Sequence, residues 1–200
     1  ARFGMEAEFE LPGPTSYPEV AIFDPAVESV TLEEMISLGE KMIAVTSQHT
    51  PQLISEAGVS RSLITVSMIN SRSGQAGYKQ SVFGLGIEGQ LIEDTDMLFV
   101  GESQRYCRPI SEVESITEAV LCQLKMAKNR AVISTGTLPV IFTPQGLAGA
   151  LIPPLVSAFN GKTVLEGASP LGDKLGQLVF DERLSLTDDP SLDYRPASAP

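Results

Sequence analysis

The stretch LITVSMINSRSGQAGYKQSVFGLGIEGQ, residues 63–90, decides the fold class. Its first seven residues, Leu63–Ile69, alternate with a period of two and are apolar on both sides, as in a strand. Asn70–Gly74 consists largely of residue types that favour turns, and Gln75–Glu88 alternates again as a long second strand. Glu88-Gly89-Gln90 is predicted to turn the chain once more, and Leu91–Tyr106 to supply one or two further strands. Consecutive strands joined by short turns predict an antiparallel meander.

Helical patterns flank this meander on both sides. Thr31 is a good N-cap, and Glu34 three residues later completes a capping box. An apolar stripe expected to face the core then recurs at helical spacing, at Leu32, Met35, Ile36, Met42 and Ile43. Ser111 and Glu114 predict a second capping box, followed by a helix with one apolar face (Val113, Ile116, Val120, Leu124, Ala127) and basic residues near its C-terminal end (Lys125, Lys128, Arg130). Helix, meander, helix predicts an α+β fold.

A second unit is predicted after the second helix. It comprises a strand at Leu138–Phe142, a helix from Pro144 that stops at Asn160-Gly161, and short strands near Thr163–Leu165 and Gln177–Phe180. The predicted organisation is therefore an extended arm or linker at 1–20, a central helix-meander-helix domain at 21–132, and the beginning of a β-rich α+β C-terminal domain at 133–200.

Composition limits the function classes. The chain has 200 residues, is 42% hydrophobic and carries a net charge of −11, with its 14 basic residues scattered. Binding to a phosphate backbone needs clustered Lys and Arg, so direct nucleic-acid binding is not expected. No apolar stretch approaches the roughly 18–20 residues of a membrane span. The two cysteines fit a cytoplasmic protein, and the absence of an initiator Met suggests an internal piece of a longer chain.

The residues that carry chemistry are few. Gly84–Gly89 matches G-x-G-x-x-G, but it lies inside a predicted strand, where glycines serve close packing better than a dinucleotide. His49 is the only histidine, so a zinc site made by this chain alone is not expected. Asp94–Asp96 and Asp188-Asp189 lack the spacing of a calcium loop and are interpreted as solvated turns. A Ser/His/Asp triad stays open on geometry, without a G-x-S-x-G motif to support it.

Four stretches together resemble the TldD/PmbA family, known as modulators of DNA gyrase or peptide-maturation proteases. They are Asn70–Gly74, Gly136–Pro144, Gly167–Gly176 and Ser185–Pro190. The resemblance covers essentially the whole chain, and family members are about twice as long. It therefore implies the central domain and the start of the C-terminal domain of a longer protein.

In the zinc-bearing TldD branch, an H-E-x-x-x-H helix follows the strand of the second unit. Placed on this chain, the three functional positions fall at Ile152, Pro153 and Ser157, none of which can take over the family role. The resemblance thus implies no catalytic residue, no metal ligand and no cofactor in this chain, and it favours the PmbA (TldE) branch. It also implies a TldD-like partner subunit that holds zinc, peptide substrates, and a role in proteolysis and peptide maturation in the cytoplasm.

Two alternatives are kept. One is a non-catalytic scaffold or homo-oligomeric peptide-binding protein; the other is an active metallopeptidase with ligands from chain beyond Pro200. The helix at 145–159 is apolar almost all round, with Leu147, Leu151, Leu155 and Phe159 on one stripe and Ile152 and Val156 beside it. Such a helix needs cover on more than one side, which predicts an oligomer or an exposed apolar patch near Ile152 and Val156.

Overall fold

The computed structural model describes residues 10–129 and 131–199. The chain divides into two compact units, the first formed by residues up to 130 together with 189–200, and the second by 131–188. In the first unit the elements are α1 (Ala26–Ser29), α2 (Leu32–His49), β1 (Ile54–Ile69), β2 (Gln75–Glu93), β3 (Asp96–Tyr106) and α3 (Glu114–Ala127). Helices packed on a three-stranded sheet confirm the predicted α+β class.

The sheet is an antiparallel meander in the order β1-β2-β3, as predicted. The first turn lies where the sequence places it: the Asn70 side chain accepts hydrogen bonds from the backbone N–H groups of Arg72 (2.9 Å) and Gly74 (3.0 Å). Ser73 adopts a positive φ of 62° in this turn. In this turn the hydrogen bonds to the Asn70 side chain take the place of the backbone hydrogen bonds that pair β1 with β2.

The second turn was predicted in the wrong place. Glu88-Gly89-Gln90 continues β2, and the chain reverses at Asp94, whose φ is 55°. A glycine is needed at position 89 of this strand because a Cβ there would lie 2.8 Å from the Leu53 side chain. The glycine makes room for a core leucine. A glycine needed for close packing carries the same sequence signal as a glycine needed for a turn.

Helix α2 has the predicted start and a different buried face. The Thr31 hydroxyl accepts from the Glu34 N–H (3.2 Å), and the Glu34 carboxylate accepts from the Thr31 N–H (2.7 Å). Met42 and Thr46 are buried, whereas Leu32 is 65% exposed and Ile36 50% exposed. Ile43 is exposed too, so the predicted stripe is wrong at three positions, because the line of contact on the sheet runs from Met35 through Met42 to Thr46.

Helix α3 packs as predicted but begins differently. Val113, Ile116, Val120 and Leu124 are buried, and Ala127 is half-buried. The predicted Ser111–Glu114 capping box is wrong: Val113 is the N-cap and makes no side-chain bond. The Glu114 carboxylate instead accepts from the Lys41 ammonium on α2 at 2.6 Å, and this bond lowers the pKa of Glu114. Arg130, predicted near the end of this helix, lies outside the described residues.

One core joins the helices to one face of the sheet. Its buried members are apolar side chains from α1, α2, all three strands or their flanks, and α3, namely Val27, Met42, Leu53, Phe83, Leu85, Ile87, Val100, Val113, Ile116, Val120 and Leu124. Strand β2 is also buried on its other face, at Gln80 and Val82. The cover on that side includes the segment in which the chain comes back to the first unit, residues 189–199, called the return segment below.

The second unit contains helices and turns. Its elements are α4 (Pro144–Gly146), a π-helical turn (Leu147–Leu151), α5 (Ile152–Phe159) and α6 (Gly161–Leu165). The strands predicted at Leu138–Phe142, Thr163–Leu165 and Gln177–Phe180 are wrong, since no residue between 131 and 188 pairs in a sheet. An apolar run forms a strand only when a neighbour accepts its backbone hydrogen bonds, and Leu138–Phe142 has no such neighbour in the described chain.

Helix α5 ends where predicted, and the residue that ends it also begins the next helix. Asn160 follows Phe159 in an extended conformation, and its side-chain oxygen accepts from the N–H groups of Lys162 (3.0 Å) and Thr163 (3.4 Å). Asn160 is thus the N-cap of α6. Thr163–Leu165 is helical for this reason.

Candidate functional site

The first candidate is α5, the element on which the family's catalytic motif would fall. The Thr143 hydroxyl accepts from the Gly146 N–H at 3.0 Å and opens the helical run at Pro144. Pro153 and Pro154 then occupy the start of α5 and supply no backbone N–H. Proline fits the first turn of a helix and not its interior, so the chain passes through a π-helical turn before α5 begins.

The side chains at the motif positions do not fit a metal. Ile152 is half-buried, and Pro153 and Ser157 are exposed. An alkyl group and a pyrrolidine ring offer zinc no lone pair, and one hydroxyl does not replace an imidazole or thiolate set. Across residues 10–129 and 131–199, no group of three or more His, Cys, Asp or Glu side chains is placed to hold a metal ion. The side chains of α5 therefore offer zinc no ligand set.

A loop is tied to α5. The Ser169 hydroxyl donates to the Ala158 carbonyl at 2.6 Å and accepts from the Leu171 N–H at 3.1 Å. The structure thereby brings α5 together with residues 167–176, one of the stretches that carry the family resemblance. The helical part of this surface carries no charge, since no residue from 145 to 159 is charged, whereas the loop contributes Asp173 and Lys174.

Apolar side chains on α5 remain open to solvent. Val156 is 57% exposed and Phe159 54% exposed, whereas Ala158 is buried. Exposed apolar groups clustered on one helix are characteristic of surfaces that meet another protein. This group (Val156 and Phe159, with half-buried Ile152) is called the α5 surface below.

The second candidate is the outer edge of β1. Within residues 10–129 and 131–199 this strand pairs with β2 on one side only, and its last eight positions pair with β2 beyond the reach of β3. Several apolar side chains along it are exposed, namely Ile54, Leu63, Ile64, Met68 and Ile69. A long edge with free backbone groups can accept an extended chain by β-augmentation. The sequence predicts this strand but gives no signal that its outer edge is unpaired.

The sequence also did not indicate a cleft at the opposite end of the sheet. It has a volume of about 740 Å³ and is lined by residues of α2, the β2–β3 turn and α3, including His49, Leu91, Met97, Leu124 and Lys128. His49 is thus placed in a cleft, with its Nδ1 2.8 Å from the Thr50 hydroxyl. Residues that line a cleft from three separate elements leave no local pattern in a sequence.

The G-x-G-x-x-G segment lies within β2, as the sequence indicates. Gly86 pairs with Gly58 of β1 and Ser103 of β3. A Cβ on Gly86 would lie 2.7 Å from the Ser103 Cβ and 3.0 Å from the Glu102 carbonyl oxygen. The glycine is therefore required by close strand packing, and the segment does not open a helix that could receive a pyrophosphate.

Comparisons with known proteins agree with this fold. Residues 135–200 match the family model described as the PmbA/TldA metallopeptidase C-terminal domain. An uncharacterized protein of Methanocaldococcus jannaschii is 26% identical over 196 residues, which are 96% of this chain and 43% of that protein.

Solved structures share the fold. A TldE from Thermococcus kodakarensis matches 83% of this chain and 38% of its own, at 20% identity and a TM-score of 0.65. Two candidate modulators of DNA gyrase also match, both at 16% identity. The match to the protein from Bacteroides thetaiotaomicron covers 92% of this chain and 43% of that protein, with a TM-score of 0.82. The match to the protein from Thermotoga maritima covers 85% of this chain and 40% of that protein, with a TM-score of 0.74. The chain thus spans about two fifths of the length of these relatives.

Proposed function

We propose that this chain, whose residues 135–200 match the PmbA/TldA metallopeptidase C-terminal domain, is the non-metal, TldE-like subunit of a two-subunit metallopeptidase that acts in peptide maturation and proteolysis. The observation that carries the proposal is α5, where Ile152, Pro153 and Ser157 stand at the motif positions and offer no zinc ligand set. Zinc then belongs to a TldD-like partner subunit. This chain then contributes no catalytic residue and no cofactor.

The proposed role is to position an extended peptide. The outer edge of β1, which no described strand covers, presents backbone N–H and C=O groups in a row, and these recognise a peptide backbone whatever its side chains are. Holding a scissile bond in one orientation removes much of the entropic barrier to attack by a group on another subunit. A subunit without metal can in this way raise the rate of a peptidase.

The α5 surface is proposed to contact the partner subunit. It combines exposed Val156 and Phe159 with a run of residues that carries no charge, which lowers the cost of removing it from water. The same reasoning favours a protein partner over nucleic acid, because the chain has a net charge of −11. No described helix has the length and apolar character to cross a membrane. We place the complex in the cytoplasm as part of the proposal.

Co-purification with endogenous partners, followed by metal analysis, tests this function. We expect a TldD-like subunit in the complex, about one zinc per heterodimer, and no stoichiometric zinc in the chain purified alone. Val156→Lys should weaken the complex, whereas Ile133→Lys, at a residue that is 76% exposed in the same unit and outside both α5 and the 167–176 loop, should not. One zinc per chain in the isolated protein would contradict the proposal.

A second function is favoured by one observation. The α5 surface is equally suited to a second copy of the chain, which would give a homo-oligomeric scaffold or peptide-binding protein without a peptidase partner. Mass measurement in solution separates the two. A stable homo-oligomer that Val156→Lys disrupts, together with the absence of any zinc-bearing partner in pull-downs, would favour the scaffold.

A further inference from the structure

The return segment is bound to the first unit mainly through its backbone. The Tyr194 carbonyl accepts from the Cys107 N–H at 3.0 Å, and the Tyr194 N–H donates to the Ala21 carbonyl at 2.6 Å. The Ala21 N–H donates in turn to the Asp193 carboxylate at 2.9 Å. The buried Gln80 amide donates to the carbonyls of Pro196 (3.0 Å) and Ser198 (3.2 Å). The segment therefore joins the stretch before α1, β2 and the end of β3.

Two reciprocal cation–π contacts add to these hydrogen bonds. The Arg108 guanidinium lies 5.5 Å from the centre of the Tyr194 ring, and the Arg195 guanidinium lies 5.1 Å from the centre of the Tyr106 ring. Each side of the junction thus supplies one cation and one ring. Contacts of this kind at exposed sites contribute about 0.5–1 kcal/mol each.

The return segment adds no side chain to the apolar core. All members of the buried core cluster come from residues 27–124, and Tyr194 is 38% exposed. Segments held by hydrogen bonds and surface contacts open at lower free energy than segments that carry core residues. The return segment can therefore detach while the sheet and its helices stay folded.

We propose that the return segment is a releasable strap, which opens as a unit from the junction formed by Ala21, Gln80 and Tyr106–Arg108 while the sheet beneath it stays intact. When the strap is bound, residues 131–188 are joined to the folded sheet unit at both ends. When it opens, they remain joined only through α3. The strap thus controls whether the second unit has one or two attachments.

Cys107 reports on this opening. Its side chain is fully buried, and burial raises the pKa of its thiol. Its backbone N–H donates to the Tyr194 carbonyl, so opening of the strap breaks a bond at this residue, and we expect the thiol to become accessible with it. A buried thiol reacts with a labelling reagent only through the open state, so the labelling rate measures the population of that state.

The test is native-state thiol labelling of the full chain carrying Cys122→Ser, so that Cys107 is the only thiol. Tyr194→Ala and Arg195→Ala, which each remove one cation–π contact, should accelerate labelling of Cys107 roughly two- to fivefold. The urea midpoint of the sheet should be unchanged. Tyr194→Phe keeps the ring and should label like the parent protein, as should Arg183→Ala, which removes an arginine of the second unit.

Two results would overturn the proposal. One is a labelling rate equal to the rate of global unfolding in every variant; the other is parent Cys107 labelling as fast as an exposed thiol. If Tyr194→Ala fails to fold, hydrogen exchange of the parent protein gives the same answer. The Cys107 and Tyr194 amides should then exchange together and faster than the amides of Leu85 and Val100, and equal protection of all four would also refute the strap.

Discussion

At the scale of single residues, the centre of the sheet depends on the absence of one side chain. Gly86→Ala places a Cβ 2.7 Å from the Ser103 Cβ and 3.0 Å from a backbone oxygen, neither of which can move freely. Overpacking of this kind should cost about 1–3 kcal/mol, measured as the free energy of unfolding in urea. Gly58→Ala is the matched control, because Gly58 pairs with Gly86 and has nothing within 4 Å of its Cβ position. An equal loss in both variants would disprove the steric explanation.

Asp181 in the second unit has a pKa lowered to about 2, chiefly by hydrogen bonds from the Arg183 side chain and then by the Arg183 N–H. The guanidinium donates to both carboxylate oxygens at 2.8 Å. Because the folded pKa lies below the usual 3.8, the contribution to stability is complete above about pH 4 and is lost as the pH falls towards 2.

An NMR titration of the Asp181 carboxyl checks this. Arg183→Ala should move the pKa up towards 3.8, and Arg183→Lys, which keeps the charge without the paired geometry, should give an intermediate value. An unchanged pKa in Arg183→Ala would show that the carboxylate is held by something other than the guanidinium.

At the scale of elements, α2 has an inner and an outer apolar face. Met42 is fully buried and Leu32 is 65% exposed, although the sequence assigns both to one stripe. Met42→Ala should therefore cost about 2–5 kcal/mol of unfolding free energy, and Leu32→Ala less than about 0.5 kcal/mol. Urea denaturation of the two variants measures the difference. Comparable losses would restore the predicted stripe.

The elements that could be predicted are those with local signals. The capping box at Thr31, the turn at Asn70 and the apolar face of α3 each lie within a few residues of sequence, and each is present. The misplaced turn at Gly89 has a non-local cause, the Leu53 side chain. The strands predicted in the second unit fail for a related reason, since a strand depends on a partner that its own residues do not specify.

The candidate site was predictable only in part. The position of α5 and its lack of metal ligands follow from the residues themselves, and the stop at Asn160 is a local signal. The free edge of β1 and the cleft beside His49 depend on which elements become neighbours. The return segment is bound mostly through backbone groups. Because every residue carries nearly the same backbone groups, the sequence gives no signal of these hydrogen bonds.

At the scale of the whole molecule, the two units differ in how much they bury. Almost all buried side chains belong to the first unit, and Ala158 is the buried apolar residue of the second. Amide hydrogen exchange followed by mass spectrometry should therefore show protection in β2 and α3 that exceeds protection in α5 and α6 by orders of magnitude. Equal protection would show that the second unit gains its stability from contacts outside itself, such as another copy of the chain.

The return segment also sets an order of events during protein synthesis. The sheet and α3 are complete once Ala127 has left the ribosome, and the chain from there to Tyr194 takes roughly 3–13 s at about 5–20 residues per second. For those seconds the nascent chain carries an uncovered Cys107 and an unpaired Ala21 beside a finished core. The return segment is translated after the sheet that it covers, so premature termination between these two points yields a folded sheet with an open junction.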